Sequence, residues 1–122
     1  MQEPASYDIS VFQGASWDLS LTWKTGSPLA PVNLTGWSAA MQVRTEPGSG
    51  TVLLELSTGN GRIVLGGAAG TVNLSLGAGV TEDLVAGMYV YDLELYAGGG
   101  GQVVRLIMGS ITVVPEVTRW LS

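Results

Sequence analysis

The residues best placed for chemistry are Asp92 and Glu94, two carboxylates two positions apart in an apolar run. On a strand they project to one side about 7 Å from each other, a spacing that suits a glycosidase acid pair or a calcium site. The same spacing is what a solvated strand face looks like, and that is the plainer reading. Glu82 and Asp83 form a second acidic pair, following Thr81. Thr81 reads as the N-cap of one helical turn with acids in its first turn, which accounts for both carboxylates without a ligand. The chain has no histidine and no cysteine, so the usual proton carriers, thiolate nucleophiles and zinc ligands are missing. A serine or threonine nucleophile would need a neighbouring base, and the candidates are carboxylates or the single lysine, Lys24. No enzyme, no metal site and no cofactor is expected. The glycine clusters at Gly59, Gly61, Gly66, Gly67 and Gly98 to Gly101 match neither a dinucleotide nor a phosphate loop and read as turns.

The elements that carry these side chains follow from alternation. Trp17, Leu19, Leu21 and Trp23 alternate with Asp18, Ser20, Thr22 and Lys24, one bulky apolar face and one polar face. The same period of two runs through Tyr7, Ile9 and Val11, through Trp37, Ala39, Met41 and Val43, through Val72, Leu74 and Leu76, and through Tyr89, Tyr91, Leu93 and Leu95. Val52 to Leu56 and Arg62 to Leu65 read as two short strands joined as a hairpin through 57–61. The last run, Val103 to Pro115, is interrupted at Gly109, read as a bulge or a change of sheet. With 18 glycines, about twice the average usage, mostly between these runs, the chain reads as all-β. The expectation is an immunoglobulin-like antiparallel β-sandwich of about 7–9 strands, with at most one short helical turn near residues 81–85.

At 122 residues the chain has the size of one domain with one core. Residues 1–115 are read as that domain and 116–122 as a C-terminal tail. Hydrophobic residues make up 46% and charged residues 12%, so the chain should fold without help. The net charge of −5 and the five scattered cations exclude a nucleic-acid backbone as partner. No run reaches the roughly 18 apolar residues of a membrane helix. The start, from Met1 to Ser6, shows no basic region followed by an apolar run, so synthesis in the cytoplasm is expected. Asn33-Leu34-Thr35 and Asn73-Leu74-Ser75 fit a glycosylation pattern that this context leaves to chance.

Four tryptophans raise the question of a binding site, since aromatic rings anchor protein and sugar interfaces. Trp17, Trp23 and Trp37 fall on apolar strand faces and are assigned to the core together with Tyr89. Trp120, flanked by Arg119 and Leu121 in the tail, is the candidate partner-binding residue.

The stretch Leu84 to Leu95 resembles the entry into the penultimate strand of immunoglobulin-like sandwiches, with Tyr89 at the tyrosine-corner position, and Trp37 resembles their third-strand tryptophan. A resemblance along nearly the whole chain is carried by Val11-Phe12-Gln13-Gly14, Trp17-Asp18-Leu19-Ser20-Leu21, Asn33-Leu34-Thr35-Gly36-Trp37, Leu53-Leu54-Glu55-Leu56, Asn60-Gly61-Arg62-Ile63 and Tyr91-Asp92-Leu93-Glu94. Together these resemble a family of small phage and prophage virion proteins and, further off, the N-terminal domain of phage baseplate upper proteins. The glycine-rich stretches Gly66 to Gly70 and Gly98 to Gly101 depart from that pattern. The resemblance implies a virion structural protein that binds other virion proteins in the tail, collar or fibre-attachment region, as a homo-oligomer in the particle and with no catalytic residues. Capsid decoration is the alternative within that class. A carbohydrate- or receptor-binding module is the alternative outside it, and requires one of Trp17, Trp23 or Trp37 to be exposed in a groove.

Overall fold

The computed structural model describes residues 4–99 and 101–118. In chain order its strands are β1 (Ala5–Ser6), β2 (Ile9–Phe12), β3 (Trp17–Thr22), β4 (Lys24–Thr25), β5 (Ala30–Pro31), β6 (Ser38–Arg44), β7 (Leu54–Ser57), β8 (Ile63–Leu65), β9 (Thr71–Leu76), β10 (Gly87–Tyr96) and β11 (Val103–Val114). Eight of these are three residues or longer, as the alternating runs require.

Two sheets face each other. One has the order β1-β11-β10-β6-β7, with β2 also paired to β11, and the other has the order β3-β9-β8. All pairs are antiparallel except those of β1 and β2 with β11. This is the strand order of a variable-type immunoglobulin sandwich with one difference: the first strand lies wholly against β11, so the second sheet has three strands and not four.

The alternating apolar positions meet between the sheets. Tyr89, Tyr91, Leu93 and Leu95 of β10 and Ala39, Met41 and Val43 of β6 belong to the same buried cluster as Val72, Leu74 and Leu76 of β9. Successive residues of a strand point to opposite faces, so this one-sided apolar pattern suffices to bury one face of each sheet.

Four local expectations are corrected. The strands β7 and β8 do not form a hairpin; β7 pairs β6 and β8 pairs β9, so the chain between them crosses from one sheet to the other. The Asn60 side chain shapes that crossing: its carbonyl oxygen accepts from the backbone N–H groups of Ser57 and Arg62, both at 3.0 Å. The helical turn α1 spans Ala78–Thr81 and starts from an extended Gly77, so Thr81 ends it and does not cap its start. Thr81 is fully buried, and its hydroxyl donates to the carbonyls of Ala15 at 2.8 Å and Ala78 at 3.1 Å. A second short turn, a 3-10 turn at Gly67–Ala69, occupies the glycine-rich stretch before β9.

The fourth correction concerns Gly109, which is neither a bulge nor a change of sheet. Strand β11 runs unbroken through it, and the bulge lies three residues earlier, where Leu93 pairs Ile107 but Glu94 pairs Arg105. The extra residue, Leu106, lets two successive side chains, Leu106 and Ile107, both be buried. At Gly109 a side chain would meet the backbone carbonyl of Tyr7, so glycine is there because the N-terminal strand passes too close for anything larger.

Candidate protein-binding surface

The outward positions of β6, β10 and β11 form one face. Alternation turns Gln42 and Arg44 of β6, Asp92 and Glu94 of β10, and Arg105 and Met108 of β11 away from the core, and they line an open groove with Pro47 at one side. Arg105 sits between the two acids, its Nε 3.2 Å from Asp92 and its Nη2 3.6 Å from Glu94. Arg44 donates to the Gln42 carbonyl oxygen and to the Ser49 backbone carbonyl, each at 2.6 Å. The Gln42 amide donates in turn to Glu55 at 2.7 Å. Asp92 and Glu94 thus share a face as the sequence predicts, but they share one guanidinium too. Such a chain of alternating charges offers hydrogen bonds to a polar partner. Among the described residues no group of three His, Cys, Asp or Glu side chains converges on a metal-sized site.

Large apolar side chains stand at separate points along the same face, Met108 within the groove and Met88 and Phe12 beyond it. Met88 pairs Thr112, which pairs Ser10, and Phe12 pairs Val114 on the next residues along. Phe12, Met88 and Met108 are all exposed. These residues did not emerge from the sequence, although a signal was present: each is a large apolar side chain at the outward phase of its strand.

The aromatic residues divide differently. Trp23 and Tyr89 are buried in the core, whereas Trp17 and Trp37 are half-buried and pack against it. Trp23 and Trp37 meet edge to face with ring centroids 5.6 Å apart, the arrangement their quadrupoles favour. The Trp23 indole N–H has no acceptor among the described residues. Trp17 lines a narrow void between the sheets with Val11, Leu76 and Leu84. Among the three tryptophans, Trp23 is buried and Trp17 and Trp37 are partly exposed. Tyr89 donates its hydroxyl to the Val85 carbonyl at 2.7 Å, four residues upstream, which is the tyrosine-corner bond.

Tyr91 lies two residues further along β10 and donates to the carbonyl of Tyr7. Burial, with the charge of Asp8 and then Tyr7 adding to it, pushes the Tyr91 hydroxyl well above its ordinary value of 10.0. Tyr96 is raised chiefly by desolvation and further by the negative charges of Glu94, Glu55 and Asp92.

Trp120, Arg119 and Leu121 lie outside the described residues. The chain leading to them is anchored at Glu116, whose backbone N–H donates to the Gln13 side chain at 3.0 Å, and Val117 is almost fully exposed.

No protein-family model matches the chain. No curated protein matches it either. Matches to solved structures extend to 224 chains. One is the crystal structure of a chicken TCR, with 12% identity and a TM-score of 0.54, covering 96% of this chain. The present chain spans 56% of that molecule's length. At such identity the likeness establishes the fold alone, and a fold so widely shared fixes no function: the chain is an immunoglobulin-like β-sandwich.

Proposed function

We propose that this chain is a non-catalytic protein-binding module of a bacteriophage virion, docking on other virion proteins in the tail, collar or fibre-attachment region. The observation that carries the binding role is the outer face of the larger sheet. Phe12, Met88 and Met108, at 56%, 71% and 43% exposure, lie on hydrogen-bonded neighbouring strands of that face, Met108 in the Arg105–Asp92–Glu94 groove and Met88 and Phe12 further along, with Ser10, Ser110 and Thr112 among them. Protein interfaces are enriched in Met and aromatic side chains and carry polar groups that supply hydrogen bonds. The phage assignment rests on the resemblance of the segments from Val11-Phe12-Gln13-Gly14 to Tyr91-Asp92-Leu93-Glu94. The partner expected is a virion protein with an apolar docking patch edged by polar groups.

Mass spectrometry of purified particles tests the assignment. The chain should be present at a copy number matching tail symmetry; a capsid-lattice copy number would move it to the decoration role. The Met88→Lys variant should fold with an unchanged thermal midpoint and lose at least about tenfold in incorporation, since a buried lysine costs more than about 1.4 kcal/mol at an apolar contact. Absence of the chain from the particle would overturn the virion reading.

A further inference from the structure

We infer that β3 is a self-association edge, along which a second copy of this chain pairs its own β3 antiparallel to the first. This inference rests on the reading of the chain as an assembly module and concerns a different surface from the outer face. Strand β3 pairs β9 on one side, and among the described residues nothing pairs its other side. Among the described residues the position normally filled by the first strand of such a sandwich is unfilled, because β1 and β2 both lie against β11. The consequence is visible across the ladder. Val72, Leu74 and Leu76 of β9 are buried, whereas their partners Leu21, Leu19 and Trp17, on the same face and in the same rows, remain half-exposed. These core-facing residues lie at the edge of the sheet and are only partly buried.

The other edge strands are shorter, and some are partly closed. The outer edge of β7 is occupied by its own loop: the Glu55 carbonyl accepts from Asn60 at 3.0 Å and from Arg62 at 2.9 Å, and the Ser57 N–H donates to Asn60. The β1–β2 edge is broken at Tyr7 and Asp8, where the Asp8 carboxylate takes the Ser110 N–H, and Ala15 closes the Phe12 carbonyl at 3.1 Å. Strand β8 has three residues. Strand β3 has six, with no proline, no bulge and one charge, Asp18. Asp18 is the one device it carries against edge pairing, and the self-pairing registers accommodate it.

The strand is complementary to itself. In an antiparallel pair, directly opposed residues share a face, so only registers that oppose apolar to apolar are allowed. Two registers that pair five residues of each six-residue strand satisfy this and keep Asp18 away from its copy. One sets Leu19 opposite Leu19, with Trp17 opposite Leu21 and Asp18 opposite Ser20. The other sets Ser20 opposite Ser20, with Leu19 opposite Leu21 and Asp18 opposite Thr22. Either joins two three-stranded sheets into one of six strands and covers the half-exposed Trp17, Leu19 and Leu21 of both copies. A contact of one strand is small, so the free dimer is weak, with a dissociation constant on the order of 0.1 mM, and becomes effective at the local concentration of an assembly.

The absence of cysteine makes the test direct. Leu19→Cys and Ser20→Cys are compared under mild oxidation with Ser75→Cys, on the central strand β9, and Val64→Cys, on the opposite edge. Light scattering of the wild-type chain runs in parallel up to about 1 mM, a range set by the expected weakness of the contact. The expected result is a rise from 12.7 kDa toward twice that mass, with one of the two β3 cysteines cross-linking at least about tenfold faster than both controls. Ser20 is exposed, so its variant keeps the fold even if Leu19→Cys weakens it. A chain that stays monomeric and cross-links no faster at β3 than at the controls overturns the inference. A dimer that cross-links through neither β3 position overturns it too, by placing the contact elsewhere. A β3 dimer from a chain absent from the particle would sink the virion reading and leave this one standing.

Discussion

Substituting Gly109 by alanine should unlatch the N-terminal strand. The added methyl would meet the Tyr7 carbonyl, with the carbonyl carbon 2.9 Å and the Asp8 carboxylate 3.0 Å away. Two of those neighbours are backbone atoms, so the strand itself must move, and three hydrogen bonds move with it. The Tyr91 hydroxyl loses the Tyr7 carbonyl, and Ser110 loses its bonds to Asp8 from its N–H at 3.1 Å and its hydroxyl at 3.0 Å. The Tyr91 hydroxyl lies in the buried row of β10, and stranding it costs about 1–3 kcal/mol, whereas the exposed Asp8 bonds contribute about 1 kcal/mol together. The destabilisation is therefore about 2–4 kcal/mol. With an unfolding entropy near 2.1 cal/mol/K per residue over 122 residues, each kcal/mol is worth about 4 °C, so the midpoint falls by roughly 8–16 °C.

Urea unfolding of wild type, Gly109→Ala, Tyr91→Phe and the double variant gives the full cycle. Tyr91→Phe alone should cost about 1 kcal/mol, and close to nothing once Gly109→Ala has already displaced Tyr7. Hydrogen exchange should show lost protection confined to residues 5–12 and their partners on β11. The account is refuted if Gly109→Ala lies within about 0.5 kcal/mol of wild type, the range of neutral surface changes, or if Tyr91→Phe costs the same in both backgrounds.

Tyr89→Phe removes the corner bond to Val85, a residue exposed enough for water to replace the donor, so the loss should be about 1 kcal/mol by urea unfolding. Arg105→Ala breaks both ion pairs of the groove, yet all three side chains are more than a third exposed. Its effect on stability should stay below about 0.5 kcal/mol and vanish in high salt, while binding to a virion partner weakens. Stability should also fall at alkaline pH. The Tyr91 hydroxyl ionises later in the folded chain than in the unfolded one, so its contribution is complete below pH 10.0 and is lost as the pH rises toward its higher folded value. Tyr91→Phe should flatten that decline in a urea series taken across the alkaline range.

Much of the sandwich was legible because its strands are half-buried antiparallel ones, in which burial alternates with the residue number. The inner rows from Ala39 to Val43 and from Tyr89 to Leu95 are buried as their alternation requires. Pairing was not legible in the same way. Short strands such as β7 and β8 satisfy the hairpin pattern locally, but the choice of partner is made by the sheets they complete, and no property of 57–61 alone reveals that crossing. Gly109 illustrates the same limit. A glycine inside a strand pattern signals either a bulge or a close backbone approach, and only the fold shows that the approaching backbone is that of Tyr7, about a hundred residues earlier.

The binding surface was half legible for a related reason. Asp92 and Glu94 announce an outward face by type, but what makes that face a candidate for docking is its neighbours across the ladder, Arg105 and Met108, and these depend on register. The bulge at Leu106 sets it: residues beyond it pair one position out of step with those before, which brings Arg105 opposite Glu94 and leaves Met108 opposite Asp92. A strand without the bulge would shift one of these pairs by a residue and turn a side chain inward. The same dependence explains β3. Its alternation is the clearest in the sequence and reads as a strand facing the core, and it does face the core. That its outer edge is open follows from where β1 and β2 go, which is decided by their pairing with β11 and not by any residue of β3 itself.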